Sequence, residues 1–174
     1  VDGPGGLKID PRPWEEASRD YGFVDELAAL GPRVNGPGNK ERFDYWLNTF
    51  LYMRETARLE CLWGEYDKAA AALKTTAGAP SNAALAESTL FPIRERMSAC
   101  LKSVYRHLLA TVGNPGELGT VANWEQHLIP RIFLRPEEEL RQASGRELPA
   151  EARRAGGYDG AARIILPSAR TMLD

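Results

Sequence analysis

Between residues 40 and 76, apolar side chains return every three or four positions, which is the spacing of one face of an α-helix. The main stripe consists of Phe43, Trp46, Leu47, Phe50, Met53, Ala57, Leu62, Tyr66, Ala69 and Leu73, and it is widened by Tyr45, Leu51, Tyr52, Leu59 and Trp63. A helix with so wide an apolar surface must pack against neighbours on more than one side. The sequence therefore predicts one long packed helix, with Asn39 as its N-cap and a weak point or bend at Gly64.

A second long helix is predicted over residues 83–112, after a turn at residues 78–82. Pro92 lacks a backbone donor, so we expect either a kink or a fresh helix start near Leu90. Because the connection is short, the two long helices must run antiparallel. The predicted fold class is mainly α, an antiparallel long helical hairpin within a small helical bundle.

Shorter helices are predicted on both sides of the hairpin. Apolar spacing from Trp14 indicates a helix that begins at Pro13, is weakened at Gly22 and is stopped by Gly31-Pro32. Beyond the hairpin, Thr120 is predicted to cap a helix over residues 121–134, disturbed at Pro130.

The chain divides into three parts by composition. Residues 1–12 are rich in glycine and proline and indicate a linker, and residues 13–160 form the predicted helical domain. Residues 161–174 are predicted to be an extended segment, with a short C-terminal strand at residues 163–167 that leads to a further domain. Because a lone strand cannot satisfy its own backbone, and because the chain does not begin with Met, we expect a piece of a longer protein.

Charge and hydropathy argue against two classes of partner. The formal net charge is −2, from 22 basic and 24 acidic residues, and there is no basic stripe of the kind that nucleic-acid-binding proteins carry. The sequence has no apolar run close to the roughly 18–20 residues that cross a bilayer, and no basic amphipathic face for a membrane surface. We therefore expect neither nucleic acid nor membrane as a partner.

The cysteines and histidines do not form a metal-binding pattern. Cys61 and Cys100 lie at similar distances from the hairpin turn, so either a disulfide or two buried thiols fits the predicted topology. His107 and His127 are twenty positions apart, and His107 is expected at a helix surface or between helices. No phosphate-binding loop is present, and we predict neither a metal nor a cofactor.

The segment from Thr120 to His127 resembles a functional site in its composition. It places an amide, an indole, a carboxylate and an imidazole close together, beside a glycine-rich loop. Sugar sites combine an aromatic platform with planar polar groups, because a pyranose has an apolar face and a rim of hydroxyls. The predicted substrate-binding residues are Glu117, Asn123, Trp124, Glu125 and His127. The alternative is a loop that is packed by Trp124 and pinned by hydrogen bonds of Asn123 and Glu117.

No catalytic residue is predicted. The acidic residues of the long helix, Glu55, Glu60, Glu65 and Asp67, alternate with Arg54, Arg58 and Lys68, as is typical of a solvated helix face. The aromatic residues Phe43, Tyr45, Trp46, Phe50 and Tyr52 form either a binding surface or, as we expect, a core or a face docked on a neighbouring domain.

Two segments of the sequence resemble a known class of proteins. Residues 38–50, GNKERFDYWLNTF, and residues 114–127, NPGELGTVANWEQH, look like the helical accessory region of large bacterial glycoside hydrolases of agarase-like type. The resemblance implies a companion to a catalytic barrel, followed by a β-sandwich, in a secreted or periplasmic enzyme. It transfers no catalytic residue, since the acid and the nucleophile of such an enzyme would belong to the barrel.

Three functions are compatible with these features. The leading hypothesis is a non-catalytic helical domain of a larger carbohydrate-active enzyme, which buttresses the catalytic domain and lines a sugar cleft. The alternative is a protein-interaction or scaffold domain, unrelated to carbohydrate, that uses the aromatic residues 43–52. A small enzyme that uses Glu117, Glu125 and His127 is the third, and it requires these groups to converge in one pocket.

Overall fold

The computed structural model describes residues 6–75, 79–134 and 140, and its architecture is mainly helical, as predicted. The α-helices are α1 (Trp14–Ala17), α2 (Gly22–Ala29), α3 (Pro37–Thr75), α4 (Ala79–Leu85), α5 (Phe91–Leu109) and α6 (Leu118–Asn123). Short 3₁₀ turns lie at Ser18–Tyr21, Gly31–Arg33 and Pro115–Glu117, and wider π-helical turns lie at Ala86–Leu90, Trp124–Leu128 and Pro130–Leu134. The predicted strand at 163–167 lies outside the described residues.

Helices α3 and α5 form the predicted antiparallel hairpin. Asn48, near the start of α3, contacts His107 near the end of α5, with 2.9 Å between Oδ1 and Nδ1. About two turns further along α3, the Glu55 carbonyl accepts a hydrogen bond from the Cys100 thiol at 3.3 Å. Contacts that move forward along one helix and backward along the other confirm the antiparallel arrangement, and they place His107 between the helices.

Pro92 lies at the start of α5, directly after the π-helical turn Ala86–Leu90. Leu90 has helical dihedral angles, with φ of −74° and ψ of −40°, so the chain stays helical between α4 and α5. The disturbance that Pro92 predicts near Leu90 is a π-helical turn and not a fresh helix start.

The hydrophobic core lies between the second half of α3, α5 and the π-helical turns that follow α6. Its larger members are Leu59, Leu62, Trp63, Tyr66, Leu90, Ile93, Met97, Leu101, Val104, Tyr105, Leu108, Trp124, Leu128, Ile129, Ile132 and Phe133. Helix α5 and these π-helical turns both pack against α3. The wide apolar surface of α3 therefore meets more than one neighbour, as predicted.

The N-terminal part of the chain also packs on α3, and it includes residues from the predicted linker. Leu7 is buried in the core, and the Lys8 amide donates to the Glu60 carboxylate at 2.8 Å. The Asp10 amide donates to the Glu60 carbonyl at 3.3 Å. Helices α1 and α2 follow and also pack on α3, anchored by the buried side chains of Ala17 and Val24.

Three local predictions are wrong. The first helix is interrupted by the 3₁₀ turn Ser18–Tyr21, and Gly22 begins α2 instead of weakening the middle of one helix. Asn39 is not the N-cap of α3, which begins at Pro37 after Gly36 has turned the chain with φ of +85°. The Asn39 side chain instead donates to the Asn35 carbonyl at 2.9 Å. Thr120 lies inside α6 and does not cap it.

Candidate functional site

Glu117 holds the loop before α6 in shape. Its Oε2 accepts hydrogen bonds from the backbone amides of Gly113 and Asn114, the latter at 3.2 Å. The Asn114 side chain accepts from the Gly116 amide at 3.0 Å, which completes a reciprocal capping box around the 3₁₀ turn. Glu117 was predicted to bind a sugar, but one of its carboxylate oxygens already accepts hydrogen bonds from its own loop.

Trp124 points into the core and is only 1% exposed. Its Nε1 donates to the Tyr52 hydroxyl at 2.8 Å, and the rings of Tyr52 and Tyr105 meet it edge-on at centroid distances of 6.3 and 6.2 Å. The indole is satisfied on its polar edge and covered on its faces, so it has no face open to a ligand in this structure.

The other predicted site residues face a different environment. Asn123 and His127 are exposed, and Glu125 is half-buried. Residues Trp124–Leu128 form a π-helical turn, in which Trp124 and Leu128 are the buried side chains. The structure therefore separates the indole from the polar groups that were predicted to act with it.

A cluster of exposed side chains, here called the aromatic face, lies on the first half of α3 and on α2. Its exposed members are Phe23, Tyr45, Trp46 and Met53, and the half-buried Phe50 contacts Phe23 and Trp46. Trp46 is 54% exposed, and Phe23 and Met53 are 44% and 45% exposed. Trp46 stacks on Phe50 at 6.0 Å, and Phe23 meets Phe50 edge-on at 5.2 Å. Mutual contacts of this kind hold the rings in place while leaving their outer sides open to solvent.

The aromatic face is held rigidly because α2 is fixed on α3. Val24 of α2 is fully buried next to the exposed Phe23, and the adjacent Asp25 forms an ion pair with Arg54 of α3 at 2.8 Å. The ion pair is solvent-exposed on the Asp25 side, so it contributes little energy and mainly sets orientation.

A cleft of about 620 Å³, here called the Trp14 cleft, separates the residues around α1 from α3 and α5. Its lining comprises Pro11, Arg12, Pro13, Trp14, Glu15, Arg58, Cys61, Leu62, Gly64, Glu65, Lys68 and Arg96. A smaller hollow of about 310 Å³ adjoins it, and Trp14 and Arg58 line both. A volume of this size is in the range of small-molecule sites.

The two thiols are free and buried, which confirms the two-thiol alternative for Cys61 and Cys100. Burial raises the pKa of Cys61, in the Trp14 cleft, to about 11, so its thiol is neutral at ordinary pH. Burial likewise raises the pKa of Cys100 to about 12. Neither thiol is therefore the thiolate that acts as a nucleophile at ordinary pH.

Sequence reasoning did not identify the Trp14 cleft. Trp14 fitted the apolar spacing of a helix, and the charged residues opposite fitted a solvated face. The signal was present in α3, where Arg54, Arg58 and Lys68 share one side of the helix with Cys61 at spacings of three, four and seven residues.

No metal or membrane element is found among residues 6–75, 79–134 and 140. Within these ranges, no three His, Cys, Asp or Glu side chains come together as a metal site. None of the helices in the same ranges combines the length and the apolar character that crossing a membrane requires. No family model, no curated protein and no solved structure matches this chain.

Proposed function

We propose that this chain is a non-catalytic helical domain that packs its aromatic face against a neighbouring domain of a larger carbohydrate-active enzyme of glycoside hydrolase type. The exposure of Trp46 on a rigid aromatic face supports the packing role. The resemblance of residues 38–50 and 114–127 to helical accessory regions supports the enzymatic context. In this proposal the parent enzyme is secreted or periplasmic.

The aromatic face is large enough to support such packing. Full burial of a large apolar side chain contributes about 1.5–3 kcal/mol. Phe23, Trp46 and Met53 are each roughly half exposed, so covering them contributes on the order of 3 kcal/mol in total. A neighbouring domain of the same chain has a high effective concentration, which lowers the affinity that docking requires, and the aromatic face contributes part of that affinity.

The same aromatic face also favours the alternative, a protein-interaction or scaffold domain that is unrelated to carbohydrate. Aromatic residues and methionine are enriched in the cores of protein interfaces, whatever the class of partner. The two functions differ in the location of the partner, which is within the same chain in the first case and on another molecule in the second.

Side-chain oxidative footprinting tests the proposal directly. The experiment compares the 174-residue protein with the longer parent chain and follows hydroxyl-radical oxidation of Trp46 and Met53. We expect both residues to be oxidised severalfold more slowly in the parent. Leu118, which is exposed outside the aromatic face, is the control and should be oxidised equally in both.

The outcomes separate the hypotheses. Equal oxidation of Trp46 and Met53 in both proteins would contradict intramolecular packing. Protection that requires a second, separate protein would replace the proposal by the scaffold alternative. The 174-residue protein should also give no turnover of polysaccharides, and clear hydrolysis would contradict its non-catalytic role.

A further inference from the structure

The Trp14 cleft carries a local surplus of positive charge in a chain whose formal net charge is −2. Four of its lining side chains are basic and two are acidic, namely Arg12, Arg58, Lys68 and Arg96 against Glu15 and Glu65. An anion in the cleft would be attracted chiefly by the cations that are not already paired with a carboxylate.

Two of these cations are already engaged. Arg12 forms ion pairs with Asp10 at 2.8 Å and with Asp20 at 3.1 Å. Arg96 of α5 contacts the carboxylate of Glu65. These pairs neutralise their own charges and fix the walls of the cleft.

The other two cations, Arg58 and Lys68, have weak or no carboxylate partners. Arg58 is about half exposed, and its Nη1 lies 3.8 Å from Glu55, beyond hydrogen-bonding distance. Lys68 is exposed and makes no ion pair with any residue that the structure describes. Their donors are thus available to a ligand.

Trp14 adds a flat apolar surface to this charged cleft. It is half-buried, and it lines both the larger cleft and the smaller hollow beside Arg58. An aromatic ring binds the apolar face of a pyranose, and a guanidinium or an ammonium binds a carboxylate or a sulfate on the sugar. Aromatic and cationic groups side by side are the complement of an acidic sugar.

We infer that the Trp14 cleft binds an acidic oligosaccharide, whose pyranose ring packs on Trp14 and whose carboxylate or sulfate groups meet Arg58 and Lys68. Arg58 and Lys68 are ten residues apart on α3, which corresponds to about 15 Å along the helix. Because the two cations start from backbone positions this far apart, a ligand with several acidic sugar units can meet both, and we take the ligand to be an oligosaccharide. The inference rests on the proposed function only for the choice of sugars as the ligand class.

Isothermal titration calorimetry on the 174-residue protein tests the inference with three probes of equal length. These are an oligogalacturonate, which carries carboxylates, a sulfated galactan oligosaccharide and a neutral agarose oligosaccharide. We expect at least one acidic probe to bind about tenfold more tightly than the neutral one, with weaker binding at higher salt. The tighter of the two acidic probes identifies the anion.

Variants locate the site. Arg58→Gln and Lys68→Gln alter exposed side chains and should each weaken acidic binding about tenfold, because each removes a charge-assisted contact. Trp14→Leu keeps an apolar side chain but removes the flat ring, and it should also weaken binding. Lys102→Gln, on an exposed position of α5, is the matched control and should leave binding unchanged.

Several results would overturn the inference. These are equal affinity for neutral and acidic probes, no binding of any probe, and acidic binding that survives both Arg58→Gln and Lys68→Gln. Binding of benzoate in the absence of sugar binding would reassign the cleft to aromatic acids. The footprinting of Trp46 tests the aromatic face and not the Trp14 cleft. A negative result in the calorimetry would therefore contradict this inference without contradicting the proposed packing function.

Discussion

Gly64 of α3 lies against the backbone of Asp10, so closely that a Cβ built on the glycine would be 2.3 Å from the Asp10 carbonyl oxygen. Real Cβ atoms do not approach backbone oxygen at that distance, and a backbone group cannot rotate away as the end of a side chain can. The glycine is therefore the reason that residues 6–12 can lie directly on the helix.

We expect Gly64→Ala to destabilise the protein by up to about 2 kcal/mol. Overpacking costs about 1–3 kcal/mol, and it outweighs the gain of about 1 kcal/mol that alanine brings to a helix interior. Urea unfolding measures the loss. Faster hydrogen exchange at the Asp10 amide, which donates to the Glu60 carbonyl, should report that the segment has moved away from α3.

Gly38→Ala is the matched control in the same helix, because a Cβ at Gly38 would meet nothing within 4 Å. Without a clash, alanine should leave the free energy of unfolding unchanged or slightly raise it. If Gly64→Ala behaved like Gly38→Ala, the close approach of Asp10 would not be a constraint on the fold.

Gly64 also shows what the sequence could and could not predict. The apolar spacing predicted a long helix over residues 40–76, close to the observed Pro37–Thr75, because helical period is a local property. It predicted a weak point or bend at Gly64, but it did not predict that this residue makes room for another part of the chain. A packing partner 54 positions earlier in the sequence leaves no local signal.

We expect Tyr52→Phe to lower the free energy of unfolding by about 1–2 kcal/mol. The Tyr52 hydroxyl accepts a hydrogen bond from the Trp124 Nε1 at 2.8 Å, and phenylalanine removes that acceptor from the part-buried indole N–H. Urea unfolding of Tyr52→Phe, Trp124→Phe and the double variant measures the coupling. Additive effects would show that this hydrogen bond contributes nothing to stability.

The contact between Tyr52 and Trp124 also explains why the sequence could not predict which residues of the proposed sugar site face solvent. Composition alone placed Trp124 beside Asn123 and His127 in sequence, and both polar residues are exposed. The direction of the indole is set by Tyr52, which is 72 positions away, and by the π-helical turn that begins at Trp124. Long-range packing therefore decided which side chains face solvent.

His107 should make stability depend on pH in a defined direction. Burial lowers the pKa of His107, partly opposed by the negative charge of Glu55, so the folded protein favours the neutral imidazole. As pH falls below the unfolded value of about 6.5, the unfolded chain takes up a proton first, and stability is lost. The contribution is fully present above that pH.

Replacing His107 by glutamine tests this dependence. We expect the free energy of unfolding of His107→Gln to change less than that of the wild type between about pH 7.5 and about pH 5.5. Lys102→Gln, a charge change at an exposed position of the same helix, is the control and should keep the wild-type slope. A wild-type slope in His107→Gln would assign the pH dependence to other groups.

The two thiols should differ in their reaction with an alkylating reagent in the folded protein. Only thiolate reacts, and burial raises the pKa of Cys61 to about 11 and that of Cys100 to about 12. Cys61 also lines the Trp14 cleft, whereas Cys100 lies between α3 and α5 with its thiol donating to the Glu55 carbonyl. We expect iodoacetamide at about pH 8 to label Cys61 first and both residues much faster in denaturant. Peptide mass spectrometry follows each site, and earlier labelling of Cys100 would contradict the assignment of Cys61 to an open cleft.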